Sequence, residues 1–245
     1  VVLSKIIWHP KFPIWGRVTL LTGIVIFVVF FSGVSVFIRP YFSNPACEKI
    51  NGERYCFGGT GVFINSNNVI TNDHVVKGCA TKINIRFENK LFGEAKLVLM
   101  DDVEDIAILS TEIKSKYFAL FRKDPIKVGE KIIAPEYTKK NGFFKIRKGK
   151  VTSLDGDLFL TSGPGRQGNS GSPVYDTKGH LVGTQHGGGN DIWKKNVAFN
   201  TNSNYIINWL HKNKIPAYQV SKKNIDLTKS ERFKQSFAVS ILCSD

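Results

Sequence analysis

Between Gly58 and Lys212 the apolar residues come in short runs separated by Gly, Asn and Asp turns. The segments Gly61–Ile64, Asn68–Thr71, Lys82–Phe87, Ala95–Met100, Ile106–Ser110, Lys131–Ala134, Phe144–Thr152, Asp157–Thr161, Pro173–Asp176, His180–Gln185 and Asn196–Asn200 read as strands. Many short strands at close spacing predict an all-β sandwich or barrel. The pattern changes at Tyr205–Asn213. There Ile206, Ile207, Trp209 and Leu210 recur at helical spacing and Pro216 follows, which predicts a C-terminal helix packed on the sheets. Residues 216–245 are polar and basic with little periodicity, and read as a basic C-terminal tail with one helical turn near Phe233.

A different pattern stands near the N-terminus. Val18–Ile38 is apolar and uncharged throughout, long enough at a helical rise to cross the hydrocarbon core of a bilayer. Arg17 and Arg39 bracket it, with Trp8 and Trp15 on one side and Tyr41 on the other, as expected at lipid interfaces. Residues 1–17 are then a flank, 18–38 a transmembrane helix, 45–215 the folded domain and 216–245 the tail. Lysines and arginines lie on both sides of the span, so charge alone orients it weakly. The short leading segment favours an inside N-terminus and a folded domain on the periplasmic or extracellular side. A cleaved signal peptide, with a small-residue site at Gly33-Val34-Ser35, competes with this reading, but its apolar region is normally only ~7–15 residues.

The chain has 245 residues, room for one large domain or two small ones, and 42% hydrophobic content with 22 glycines fits a folded, turn-rich protein. The net charge is +14, and the densest basic run is Lys139–Lys150. Phe143 and Phe144 inside it bring nucleic acid to mind, but basic runs are usually solvated faces. It reads as a solvated hairpin, with anionic lipid as a further possible contact and nucleic acid an unfavoured partner.

Four cysteines, Cys47, Cys56, Cys79 and Cys243, allow three full pairings. Asn51-Gly52 is a strong two-residue hairpin turn. Folding about it sets Cys47 opposite Cys56 as a non-hydrogen-bonded pair, with Cα atoms ~4.5 Å apart, close enough for a disulfide. That bridge is expected, and it implies an oxidising compartment. Cys79 and Cys243 are left unassigned.

Candidate chemistry sits at three places in the order His, Asp, Ser. Ser170 lies in Gly168-Asn169-Ser170-Gly171-Ser172-Pro173, where glycines let the backbone present Oγ and aim the amides of Gly168 and Ser170 at one point, an oxyanion hole. His74, after the apolar strand Val69-Ile70-Thr71, is placed to act as general base. Asp105 opens the run Ile106-Ala107-Ile108-Leu109, and a carboxylate entering a core needs a partner, for which the Nδ1 proton of His74 is suited. Asp101, Asp102 and Glu104 compete but look like a solvated turn. His9, His180, His186 and His211 read first as structural. No metal or cofactor is implied.

These motifs, with Gly59-Thr60-Gly61-Val62-Phe63-Ile64, resemble the trypsin-like serine peptidases of bacteria over about residues 56–213. The likeness extends to both the Deg-type proteases and the glutamyl endopeptidase group. It implies a chymotrypsin-like fold of two six-stranded β-barrels and a serine endopeptidase with the triad His74, Asp105 and Ser170 and the oxyanion donors Gly168 and Ser170. The substrate is then a polypeptide, and its backbone would pair with the edge near Gly187-Gly188. The chain departs from both groups. The segment beyond Lys212 is too short for the PDZ domain that Deg-type enzymes usually carry. Gln185 stands where glutamyl endopeptidases place a specificity histidine, with His186 one step later. Arg166, Gln185, His186 and Gly187 are the candidate substrate-binding residues, Arg166 and His186 supplying positive charge. The alternative function is a catalytically silent, protease-fold binding protein on a membrane anchor.

Overall fold

The computed structural model describes residues 47–50, 52–77, 79, 82–87, 91–137, 144–163, 168–191, 194–220 and 238–244. The expected span at 18–38, Arg166 and the helical turn near Phe233 lie outside them. Among the described residues no helix is long and apolar enough to cross a membrane.

The first half of the domain carries β1 (Cys47–Ile50), β2 (Glu53–Phe63), β3 (Asn68–Thr71), the short helix α1 (Asp73–Lys77), β4 (Ile83–Phe87), β5 (Leu91–Asp101) and β6 (Ile106–Thr111). The second carries β7 (Phe121–Arg122), β8 (Lys131–Tyr137), β9 (Phe144–Asp155), β10 (Leu158–Ser162), β11 (Pro173–Asp176), β12 (Leu181–Asp191) and β13 (Lys194–Asn202). Then follow α2 (Ser203–Lys212), β14 (Gln219–Val220) and β15 (Ala238–Ser244). Strands β2-β15-β4-β5-β6-β3 close on themselves through a β2–β3 pairing, with β1 hanging on β2 as a hairpin. Strands β11-β8-β9-β10-β13-β12 close through β11–β12, with β7 and β14 added in parallel. The result is two closed six-stranded barrels, which leave few exposed edges.

The unbroken apolar runs now have a reason. Ala107 and Leu109 point into the first barrel with Phe63, Val69, Ile85 and Ile241. Ile106 and Ile108, on the other face of β6, pack into a seam with Phe121, Tyr175 and Leu181 of the second barrel. A strand buried on both faces reads as continuous rather than alternating. Ile206, Ile207 and Leu210 of α2 join the same seam. The helix starts at Asn202, whose side chain accepts a bond from the Asn204 amide, and Trp209 Nε1 donates to Asp101 Oδ2 at 2.9 Å, tying α2 to the first barrel.

Cys47 is bonded to Cys56 in the expected register, with Cα atoms 4.0 Å apart. The unassigned pair is bonded too: Cys79, just after α1, joins Cys243 in β15.

The reading of 216–245 as a tail outside the domain is corrected. The compact unit runs from residue 45 to 245. Within it β15 lies between β2 and β4 in the first barrel, and all seven of its residues are buried. Val239 and Ile241 face the barrel core, while Leu242 packs on Tyr55 and Phe57. The segment Ala238–Ser244 is short and follows a polar, basic stretch, and its partners at 55–62 and 83–86 lie far back in the chain. Local patterning carries no trace of such a distant pairing.

The second barrel holds a buried charge cluster. Arg122 donates to Glu130 Oε1 at 2.6 Å and to Asp176 Oδ2 at 3.3 Å, and Asp176 also accepts from the amides of Lys178 and His180 and faces His180 Nδ1 at 3.2 Å. Burial raises the Asp176 carboxyl's pKa, but the hydrogen bonds from His180 and the Lys178 amide and the His180 charge outweigh it and bring it from 3.8 to about 2.

Two tests follow from this architecture. A chain ended after Val220 lacks β15 and the Cys79–Cys243 link; it is expected to lose cooperative thermal unfolding by circular dichroism. Retention of a wild-type transition would show that β15 is dispensable. Asp176→Asn is expected to cost about 3–5 kcal/mol in urea unfolding at neutral pH, because it leaves a buried guanidinium short of a partner. A carboxyl with a lowered folded-state pKa stabilises the fold above its ordinary value. The difference between wild type and variant is therefore expected to hold above pH 3.8 and to shrink as pH falls toward 2.

Candidate active site

Register places the first two residues of the site. In the β3–β6 ladder Thr71 pairs with Ala107, so the chain leaving β3 at Asn72-Asp73-His74 runs beside Asp105 as it enters β6. Asn72 Nδ2 donates to the Asp105 carbonyl at 2.9 Å. Asp105 has φ 53°, a left-handed conformation that non-glycine residues seldom adopt, and this side chain supports it. His74, in the first turn of α1, meets the Asp105 carboxylate twice. Its amide donates to Oδ1 at 2.9 Å and its Nδ1 lies 2.7 Å from Oδ2. The same carboxylate thus fixes both the backbone and the ring of His74.

The competing carboxylates are engaged elsewhere. Asp101 Oδ1 accepts from the amides of Val103 and Glu104 while its Oδ2 accepts from Trp209. Asp102 is exposed and lies 3.7 Å from Lys77 Nζ. Glu104 is hydrogen-bonded to Tyr205, whose phenol pKa is raised by burial and by that bond.

The Ser170 loop is clamped from both barrels. On the first-barrel side the Thr60 amide donates to the Ser170 carbonyl at 2.8 Å, and Thr60 Oγ1 donates to the Gly168 carbonyl at 2.8 Å. On the second-barrel side the Gly171 amide donates to Gln185 O at 2.7 Å and the Gln185 amide to Ser172 O at 2.7 Å. Gly168 and Gly171 have φ 95° and 82°. A Cβ at Gly171 would overlap the Thr60 carbonyl oxygen, and one at Gly168 would meet the Phe57 ring at 2.5 Å. Gly59 marks where the two halves of the site meet. A side chain there would press at once on Val75, next to His74, and on the Ser170 carbonyl, at 2.6 and 3.0 Å.

Of the expected substrate-binding residues, Gln185 is buried and lines a small cavity of about 30 Å³ with Asn169, Thr161 and Ala198. Gly187 pairs with Phe199 in the β12–β13 ladder. Arg166 lies outside the described residues. His186, expected to supply positive charge to substrate, stands beside Asp105. Its Nδ1 lies 3.2 Å from Asp105 Oδ2, and its ring stands edge-on to that of His74 with centroids 6.1 Å apart. The cause is a bulge: Gln185 pairs with Asn200 and Gly187 with Phe199, so His186 is the extra residue and its side chain is re-aimed. Burial raises the Asp105 carboxyl's pKa, but the hydrogen bonds from His74 and the charges of His74 and His186 outweigh it, and the net shift is downward. Sequence reasoning also missed Asn72. Its partner is a carbonyl on another strand, and only register supplies that. Among the described residues no group of three or more His, Cys, Asp and Glu side chains could hold a metal ion.

The two glycine environments predict a contrast. Gly171→Ala is expected to cost about 3 kcal/mol or more, since the collision is with backbone. Gly129→Ala, at a turn with φ 81° and open space around the added methyl, is expected to cost only about 1 kcal/mol. Urea unfolding of both variants measures this, and equal losses would contradict the clamp.

Comparison with known proteins extends this geometry. Residues 59–183 match the family model described as the trypsin-like peptidase domain. The chain is 29% identical over 158 residues to a probable periplasmic serine endoprotease DegP-like of Hahella chejuensis, covering 60% of this chain and 33% of that protein. It is 31% identical over 137 residues to the periplasmic pH-dependent serine endoprotease DegQ of Escherichia coli, covering 51% of this chain and 30% of that protein. The matched part spans about a third of the length of these relatives. The active form of the Rv3671c protease of Mycobacterium tuberculosis superposes with a TM-score of 0.56 at 25% identity, over 66% of this chain and 74% of that one. The serine endoprotease of Yersinia pestis does so with a TM-score of 0.57 at 22% identity, over 63% and 56%, and shares the fold. The family match runs from β2 in the first barrel to β12 in the second and takes in His74, Asp105 and Ser170 on the way: the chain belongs to the trypsin-like peptidases and is homologous to the Deg-type serine proteases.

Proposed function

We propose that the protein is a serine endopeptidase that cleaves polypeptides through an acyl-enzyme, with Ser170, His74 and Asp105 as its triad. The observation that carries this reading is the doubly bonded Asp105 carboxylate, which holds the His74 ring with Nδ1 toward Oδ2 at 2.7 Å. That contact directs the Nδ1 proton to Asp105 and leaves Nε2 as the basic nitrogen. In the first step Ser170 Oγ forms a bond to the scissile carbonyl carbon while its proton passes to His74 Nε2. The carbonyl oxygen becomes an oxyanion, for which the amides of Gly168 and Ser170 are the proposed donors. The C–N bond then breaks as the proton moves from Nε2 to the leaving amine. Water repeats the sequence on the acyl ester, losing a proton to Nε2, and the serine leaves with it. Asp105 stays ionised throughout, and its lowered carboxyl pKa suits that role.

Two disulfides and two relatives named as periplasmic support action outside the cytoplasm. Residues 18–38 are the proposed membrane tether. The sequence keeps a histidine, an aspartate and a serine at all three positions, which favours an enzyme over a silent binding protein of the same fold.

A fluorophosphonate probe tests the reading without knowledge of the substrate. Covalent labelling at Ser170 by peptide mass spectrometry is expected, and its loss in Ser170→Ala. Asp105→Asn is expected to slow labelling by ~10³–10⁴, the scale set by a misheld imidazole tautomer. Folded wild-type protein that never labels would support the binding protein instead.

A further inference from the structure

We propose that a basic groove on the outer face of the second barrel is a docking site for an acidic segment of the polypeptide substrate, held by Lys131, Lys148 and Lys150 over an apolar floor. Its part in catalysis rests on the serine-peptidase reading above. The docking itself does not.

Register builds the groove. In the β8–β9 ladder Lys131 pairs with Lys150, Ile133 with Lys148 and Pro135 with Ile146. Ladder partners share a face and alternate residues along a strand return to it, so these six side chains lie on one side of the sheet. On the other side Ile132 and Val151 point into the barrel core. A groove of about 910 Å³ opens along the outer face, lined by the three lysines, Ile133 and Ile146.

The chemistry of this face calls for an anion that also carries apolar groups. A lone surface lysine needs no partner. Here three crowd two adjacent rungs of one ladder, and Lys131 stands directly opposite Lys150, a placement in which like charges repel. Among the described residues no carboxylate pairs with any of the three. Ile146 lies beside them and is 42% exposed, so the groove is not a wholly solvated charge patch.

Spacing and position favour a polypeptide. The successive rungs carry two lysines, then a lysine and an isoleucine, then Pro135 and Ile146. They recur every two residues, roughly 6.6–6.8 Å. Alternate side chains of an extended peptide repeat at the same distance, so acidic, acidic and apolar side chains would meet the three rungs in turn. The groove also leads to the site. Ile132, Lys148, Gly149 and Ser162 line both it and the small cavity that Asn169 and Gln185 border next to Ser170. A Cβ at Gly149 would overlap the Ser162 carbonyl oxygen, and the Lys150 amide donates to Ser162 Oγ at 2.9 Å, so the lysine ladder and Ser162 are held together where the two spaces join. A chain lying along the lysines is thereby led toward the loop that carries Ser170.

Binding is read first without cleavage. The full chain carrying Ser170→Ala is titrated, by fluorescence anisotropy, with a fluorescein-labelled peptide whose alternate residues are Glu, Glu and Leu, and with its Gln, Gln, Leu counterpart. The acidic peptide is expected to bind about tenfold more tightly at low salt, the scale of two or three exposed ion pairs, and to lose that margin above ~0.5 M salt. Adding Lys131→Gln and Lys150→Gln should remove the margin, with circular dichroism and thermal unfolding showing a folded chain; if the pair does not fold, Lys150→Gln alone carries the test. Equal binding of the two peptides before the lysines are changed, or a margin that survives in the folded lysine variant, would overturn the proposal. So would retention on phosphatidylglycerol vesicles or a single-stranded oligonucleotide that needs the same lysines while neither peptide binds. In wild type, joining the acidic segment to a cleavable peptide is expected to lower KM about tenfold relative to the Gln form with kcat unchanged, the mark of binding shared by ground and transition states. An unchanged KM would overturn the substrate role. Wild type that binds the acidic peptide but never labels with a fluorophosphonate would support the docking site and sink the enzyme reading alone.

Discussion

The first barrel closes only because the far end of the chain returns to it. Without β15, strands β2 and β4 would face each other with unpaired backbone edges, and Phe63, Ile85 and Leu109 would lack the Val239 and Ile241 wall of their core. Closure removes exposed edges, and each missing strand leaves two rows of unpaired amides and carbonyls. The Cys79–Cys243 bond fastens this closing strand to the residue just beyond α1, the helix that carries His74. The strand that closes the barrel is thereby tied to the helix that carries the histidine.

The second barrel meets the first along a seam rather than at a hinge. Ile106 and Ile108 pack against Phe121, Tyr175 and Leu181, α2 covers the joint, and Trp209 reaches across to Asp101. Over this seam the Ser170 loop is stitched to Thr60 on one side and Gln185 on the other. Its two positive-φ glycines are required by what surrounds them, a carbonyl and an aromatic ring that come too close for any side chain. Strain is accepted at one more position, Asp105, where the Asn72 side chain and two bonds from His74 hold the backbone in place. Strained backbone, paired carboxylate and close-packed glycines thus gather at one point.

The first hairpin shows what local rules can reach. Asn51-Gly52 sets the turn, the turn sets the register, and the register sets Cys47 against Cys56, all within ten residues of chain. The strand runs, the helix at Tyr205–Asn213 and the motifs around His74, Asp105 and Ser170 were legible for a related reason: each is a short segment whose pattern reports its own burial or backbone need.

What the sequence by itself determined is therefore the all-β character, the first disulfide and the identity and order of the candidate triad, because turn chemistry and hydrophobic period act between neighbours. Only the tertiary structure decided that residues 238–244 belong to the first barrel, that Cys79 meets Cys243, that Asn72 holds Asp105, and that His186 stands beside Asp105. Each of these is a contact across many residues of chain. Register, barrel closure and a one-residue bulge set them, and no local pattern in the sequence encodes which distant strand will arrive alongside.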